Sequence, residues 1–186
     1  MKKFKLRISG GFVLAMALFW FFDVEGSLFS ALVCALVHEL GHLSVLLLLG
    51  GKVRHINAAI LGLCISYTGI YSKVKECLVV ISGPLANIAF AILCFYSGCK
   101  TTAAISLVQC VFNLLPISEM DGGRLLSMIV PNLRLCRLVD GAAIALICTV
   151  AAFALYHGQI SGICLLAAWL IFDRVLAKAR IKSYNK

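Results

Sequence analysis

Apolar runs of spanning length recur along this chain, at about 7–22, 27–49, 74–98, 103–130, 138–156 and 159–176. A helix needs roughly 20 apolar residues to cross the hydrocarbon core of a bilayer. The pattern therefore predicts an all-α polytopic membrane protein with six transmembrane helices, some of them short. Composition agrees, with 62% of residues hydrophobic and 13% charged, where a soluble domain is roughly half apolar and a quarter charged. No extended polar segment separates the runs, so one integral-membrane domain over 1–186 is expected. The N-terminus, "MKKFKLRISGGFVLAMALFWFF", has the basic and apolar regions of a signal peptide. No small-x-small cleavage site follows and another span comes at once, which reads as an uncleaved first helix.

The formal net charge of +9 sits in short loops and tails. Lys2, Lys3, Lys5 and Arg7 precede the first run; Lys52, Arg54, Lys73 and Lys75 separate the second and third. Arg134 and Arg137 separate the fourth and fifth, and Arg174, Lys178, Arg180, Lys182 and Lys186 end the chain. The alternate loops hold Lys100 and the acids Asp23 and Glu25. Basic residues concentrate on the cytoplasmic side of membrane proteins, so both termini are expected there. Orientation accounts for the charge, and no nucleic-acid partner is implied. The nine cysteines form no C-x-x-C pair, and most lie inside apolar runs as small buried hydrophobes.

The segment "KVRHINAAILGLCISYTGIYSK", 52–73, is apolar yet rich in Ile, Gly, Tyr and Thr, and both of its flanks belong on the cytoplasmic side. It reads as a short membrane-associated β-hairpin between the second and third helices. Non-helical backbone at membrane depth persists only where protein or water covers it.

Within the second run, "ALVHELGHLSVLLLLGG", stand His38, Glu39 and His42. An ionisable residue at the centre of a membrane helix costs on the order of 2.5–3.5 kcal/mol on insertion scales. Three such residues within five positions point to chemistry. Residues four apart share a helix face, so His38 and His42 can hold one ion, while Glu39 lies beside that face. This is H-E-x-x-H, two imidazole ligands and a general base.

A catalytic zinc needs a third protein ligand. Position 48 is Leu48, and no acid occurs between Glu39 and Glu76. Glu76, Asp140 and Asp173 lie at the ends of their runs, which leaves Glu119 and Asp121 within one. Depth is compatible with either. His42 precedes Gly50 by eight residues, ~12 Å at helical rise, and Asp121 precedes Pro131 by ten, ~15 Å. Around them runs "NLLPISEMDGGRLL", in which Pro116 and the pair Gly122–Gly123 are expected to break the helix. Arg124, beside the break, is placed to neutralise charge or to snorkel.

Together "HELGH", "SGPLAN" (82–87) and "NLLPISEMDGG" (113–123) resemble, in order, the three motifs of the site-2 protease family of intramembrane zinc metalloproteases. The spacing is most similar to the branch of stage IV sporulation protein FB. The resemblance implies one Zn2+ per chain, held by His38, His42 and Asp121, with Glu39 catalytic. It implies that Asn113 and Pro116, the N-x-x-P pair, position substrate, and that Gly83, Pro84, Asn87 and Gly122 are structural near the site. It further implies a multi-pass protein of a bacterial cell membrane that cuts a membrane-tethered protein such as a transcription-factor precursor, in company with regulatory membrane proteins. The PDZ and CBS domains found in some branches are not expected here.

Two rival functions suit parts of the pattern. A divalent-metal transporter would also place His and Asp at mid-membrane beside a broken helix, although Glu39 is superfluous to conduction and no inverted repeat is visible. A non-catalytic homologue that binds membrane segments would have no need of Glu39.

Overall fold

Ser27–Leu48 forms a single helix, α1, in a computed structural model that describes residues 5–8, 27–59 and 62–157 together with positions 167 and 171. It stops at a glycine pair. Gly50 takes φ +83°, its N–H donates to the Leu47 carbonyl at 3.0 Å, and the Gly51 N–H reaches back to Leu46 at 2.9 Å. This is a Schellman closure, which needs a residue that tolerates the left-handed region.

The chain then forms strands β2 (Lys52–Ala59) and β3 (Gly62–Thr68), paired antiparallel from Lys52↔Thr68 to Ala59↔Gly62 with an irregularity between Val53 and His55. The expected hairpin is therefore present. It has a partner that the sequence did not announce: β1 (Lys5–Ile8) lies parallel to β2, with Lys5 opposite His55 and Ile8 opposite Ala58. The sheet order is β1-β2-β3. Arg7 and Ile8, expected to open the first helix, are strand residues instead. The rest of that run, 9–22, lies outside the described residues, as does nearly all of 159–176.

Four helices follow. α2 (Lys73–Tyr96) carries Pro84 in its interior, α3 spans Lys100–Asn113, α4 spans Asp121–Ile129, and α5 spans Leu133–Tyr156. Asn132 caps α5, its side chain accepting from the backbone N–H groups of Arg134 and Leu135. Among the described residues α1, α2 and α5 are long and apolar enough to cross a membrane, so the protein is a membrane protein with three such helices in view.

The expected span 103–130 is not one helix. It is α3 and α4, of 14 and nine residues, joined by a turn over 114–120 that contains Pro116. The cause is local. Proline has no N–H and its ring clashes with the preceding turn, so α3 ends at Asn113. Gly122 and Gly123 do not break anything; they lie in the first turn of α4.

α1, α2 and α3 share a core of Cys34, Leu46, Val79, Val80, Ala91, Cys94, Ala103 and Cys110. Along one face of α3, polar side chains lock the helices together. Ser106 donates to the Asn87 carbonyl at 2.9 Å, Gln109 donates to the Ala31 carbonyl at 3.0 Å, and the hydroxyls of Thr102 and Ser30 lie 3.1 Å apart. In a bilayer, where apolar burial drives helices together little, such bonds and small-residue packing take over that role.

Candidate metal centre

The i, i+4 spacing on α1 places His38 and His42 one above the other, their rings edge to face with centroids 4.7 Å apart. Both turn inward toward α2. Gly83 on that helix is what admits them: a Cβ there would collide with Nε2 of His42 and lie 2.9 Å from Cε1 of His38. Gly41 contributes from the other side, since a Cβ on it would lie 2.7 Å from the Cβ of Ala86 and from the Ser82 carbonyl oxygen. The two helices thus approach at glycines, and the imidazoles fill the space at that crossing.

Asp121 closes the arrangement from α4. Its carboxylate is nearly buried, and Oδ2 lies 3.0 Å from Nε2 of His38 and 3.0 Å from Nε2 of His42. The two Nε2 atoms are 3.1 Å apart. As the first residue of α4, Asp121 also sits where the helix dipole favours an anion. Glycines set its position too. A Cβ on Gly122 would collide with the Leu114 carbonyl, and one on Gly123 with the carbonyl of Ile117, so the first turn of α4 lies directly on the 114–120 turn.

Hydrogen bonds fix the proton on one ring. Nδ1 of His42 lies 2.8 Å from the Val79 carbonyl oxygen, which can only accept, so Nδ1 carries a proton, and in the neutral ring Nε2 then presents a lone pair. That lone pair faces a carboxylate oxygen at 3.0 Å. Two electron-pair donors so close repel unless a proton or a metal ion sits between them.

His38 is governed by Asn87, which is fully buried. The Asn87 amide nitrogen lies 3.3 Å from Nδ1 of His38, while its Oδ1 has no hydrogen-bond partner. Rotating the amide by half a turn gives the opposite pairing, Nδ1–H of His38 donating to Oδ1, and frees Nε2 of His38 as a second lone pair. Metal-ligating histidines commonly have their far nitrogen held in this way.

His38, His42 and Asp121 are the group of metal-capable residues found among those described. They fit a metal ion: two neutral imidazoles and a carboxylate suit a first-row divalent cation. Ligands on a tetrahedral zinc, with bonds of about 2.0–2.1 Å, stand roughly 3.3 Å apart, close to the separations here.

A cavity of about 290 Å³ opens beside these atoms. Glu39, half-buried and next to His38 in sequence, lines it together with the histidines, and so do Asn113, Glu119, Arg124 and Tyr67. Asn113 spends one amide proton on its own helix, donating to the Gln109 carbonyl at 3.1 Å. Pro116 lies in the turn. Glu119, the other candidate third ligand, is exposed, accepts from the Ser118 hydroxyl at 3.1 Å and is not in the metal-capable group.

Tyr67 was not singled out from the sequence. It comes from β3, so the sheet supplies part of the cavity wall. Burial pushes its phenol above the ordinary value, Glu76 adds to that, and Arg124 opposes it. The Val79 carbonyl was also missed, since a backbone acceptor leaves no mark in a sequence.

No family model matches this chain, and no curated protein does. Among solved structures, the site-2 protease from Methanocaldococcus jannaschii superposes with a TM-score of 0.70 at 20% sequence identity, covering 92% of this chain and 89% of that one. The chain has the fold of that protease.

Proposed function

We propose that the protein is an intramembrane zinc metalloprotease that hydrolyses a peptide bond within or next to a membrane-spanning segment of a membrane-tethered protein. The observation that carries this reading is the convergence of His38, His42 and Asp121, with Nε2 of each histidine 3.0 Å from the same carboxylate oxygen. The likeness of fold and the three sequence motifs support it. One zinc per chain, bound by these three residues, would polarise the scissile carbonyl and acidify water.

The remaining chemistry belongs to the chain. The Glu39 carboxylate lies in the same cavity as the three ligands. There it takes a proton from the attacking water and hands it to the nitrogen of the leaving amine. Asn113 has a second amide proton and an acceptor oxygen with which to orient the substrate carbonyl. Pro116 ends α3 so that Asn113 stands at the cavity rather than inside a continuous helix. Gly83, Pro84, Asn87 and Gly122 shape the site without touching substrate. The burial of Asp121 and His38 strengthens the charge interactions at the centre.

The sporulation-like motifs further support a substrate of the transcription-factor-precursor type, regulatory membrane proteins as partners, and a bacterial cell membrane with both termini cytoplasmic.

Co-expression with a tethered candidate substrate tests the reading. Glu39→Gln keeps size and hydrogen bonding but cannot accept the proton. It should retain zinc at the wild-type level while cleavage falls by about 10²–10⁴-fold, the usual contribution of a positioned acid–base group. Zinc-loaded Glu39→Gln cutting at the wild-type rate would end the proposed mechanism. Metal flux without a cleaved product from either form would favour a transporter.

A further inference from the structure

Asp140 has no part in the chemistry above, yet it is a carboxylate two turns into α5 and only 7% exposed. An acid in such a helix is costly and calls for a partner. Its Oδ1 accepts the backbone N–H of Ser118 at 2.9 Å. Ser118 belongs to the 114–120 turn and precedes Asp121 by three residues.

The residues on either side of Ser118 are held by the same helix. Ile117 and Met120 are almost completely buried and share a cluster with Ala143, Ile144 and Ile147 of α5. Within the turn the Ile117 N–H donates to the Leu115 carbonyl and the Met120 N–H to the Ile117 carbonyl, each at 2.8 Å. It is also in hard contact with α4, because a Cβ on Gly123 would lie against the Ile117 carbonyl and 2.8 Å from the Ser118 nitrogen. Turn and first helical turn therefore move together, and α5 holds the turn.

We propose that Asp140 is a positioning residue for the metal centre: by holding the Ser118 N–H it fixes the turn that aims the Asp121 carboxylate at His38 and His42. The proposal rests on the metal reading above. It assigns to α5, which supplies no ligand, control over the geometry of the third one.

Cobalt(II) titration of the purified full-length protein, followed by its visible absorption bands, tests this, with thermal unfolding of the metal-free protein measured alongside. Asp140→Ala should weaken cobalt binding about tenfold or more, as loss of an outer-shell partner does, and should alter the bands while the metal-free melt stays near wild type. Asp140→Asn still presents Oδ1 to the Ser118 N–H and should restore most of the affinity. Ser118→Pro removes the donor instead, should reproduce the loss, and should add little to Asp140→Ala; it is read alone if Asp140→Ala does not fold. Wild-type affinity and spectrum in both Asp140→Ala and Ser118→Pro would overturn the proposal, as would an Asp140→Asn protein no better than Asp140→Ala. Failure of the wild-type protein to bind cobalt at all would instead remove the metal reading itself.

Discussion

Each residue of the centre has a partner that fixes its role, and the partners are testable one at a time. Asn87 is the sharpest case. Buried, and in contact with the imidazole nitrogen remote from Asp121, it can hold His38 in the tautomer that frees Nε2. Asn87→Leu keeps the volume and removes the acceptor, so metal affinity should drop about 10–100-fold. Competition with a chelator measures it, and unchanged affinity would mean that Asn87 only packs. The two histidines were legible in the sequence because helical periodicity alone puts them on one face. The third candidate ligand was less so. Glu119 and Asp121 have nearly the same depth, and what separates them is the course of the backbone through the 114–120 turn, which brings the Asp121 carboxylate to the imidazoles while Glu119 bonds Ser118. Spacing along a chain carries no such information once the helix is broken.

At the scale of elements, the break is the feature on which the site depends. Proline ends α3, and glycines let α4 begin against the turn, so a carboxylate reaches the imidazoles from a helix N-terminus. Gly123→Ala should be destabilising by about 1–3 kcal/mol, the usual cost of forcing atoms into a filled space, and should lower zinc content as Asp121 shifts. Gly141 on α5 is the control, since a Cβ there meets nothing within 4 Å among the described residues. Gly141→Ala should be neutral or stabilising by about 0.5–1 kcal/mol. Equal melting temperatures for the two variants would refute the close contact. The break itself was readable from Pro116, but the glycines were misread as part of it, because a sequence does not distinguish a glycine that bends a helix from one that makes room for a neighbour. Strand β1 was unreadable for a different reason. Four residues, "KLRI", adjoin an apolar run, and their pairing partner lies some fifty positions away at His55–Ala58. Periodicity is a local signal and cannot report a non-local ladder.

The whole molecule adds an argument about orientation that the basic residues alone could not make. Ser30, near the start of α1, touches Thr102, near the start of α3, so Ser27 and Lys100 lie at the same end. α1 ends at Leu48 on the opposite side, where β2 begins with Lys52 and Arg54. Cys77, one turn into α2, meets Met128 at the end of α4, sulfur to sulfur at 3.6 Å. That contact brings Lys73 and Lys75 to the same end as Arg134 and Arg137. Packing thus gathers Lys52, Arg54, Lys73, Lys75, Arg134 and Arg137 at one end and leaves Lys100 at the other. The crowded end is the cytoplasmic one if the chain follows the usual charge bias. Cys99 is exposed at the Lys100 end, and Cys136 lies in the first turn of α5 among the cations. In variants retaining only one of these cysteines, a membrane-impermeant maleimide applied to intact cells should label Cys99 and spare Cys136, and lysis should expose the second. Tyr67 of β3 lines the cavity and β3 ends opposite Lys52, so this edge of the cavity, taken as the substrate's entrance, would then face the cytoplasm. Labelling of Cys136 and protection of Cys99 would invert the molecule and place that entrance on the outer face.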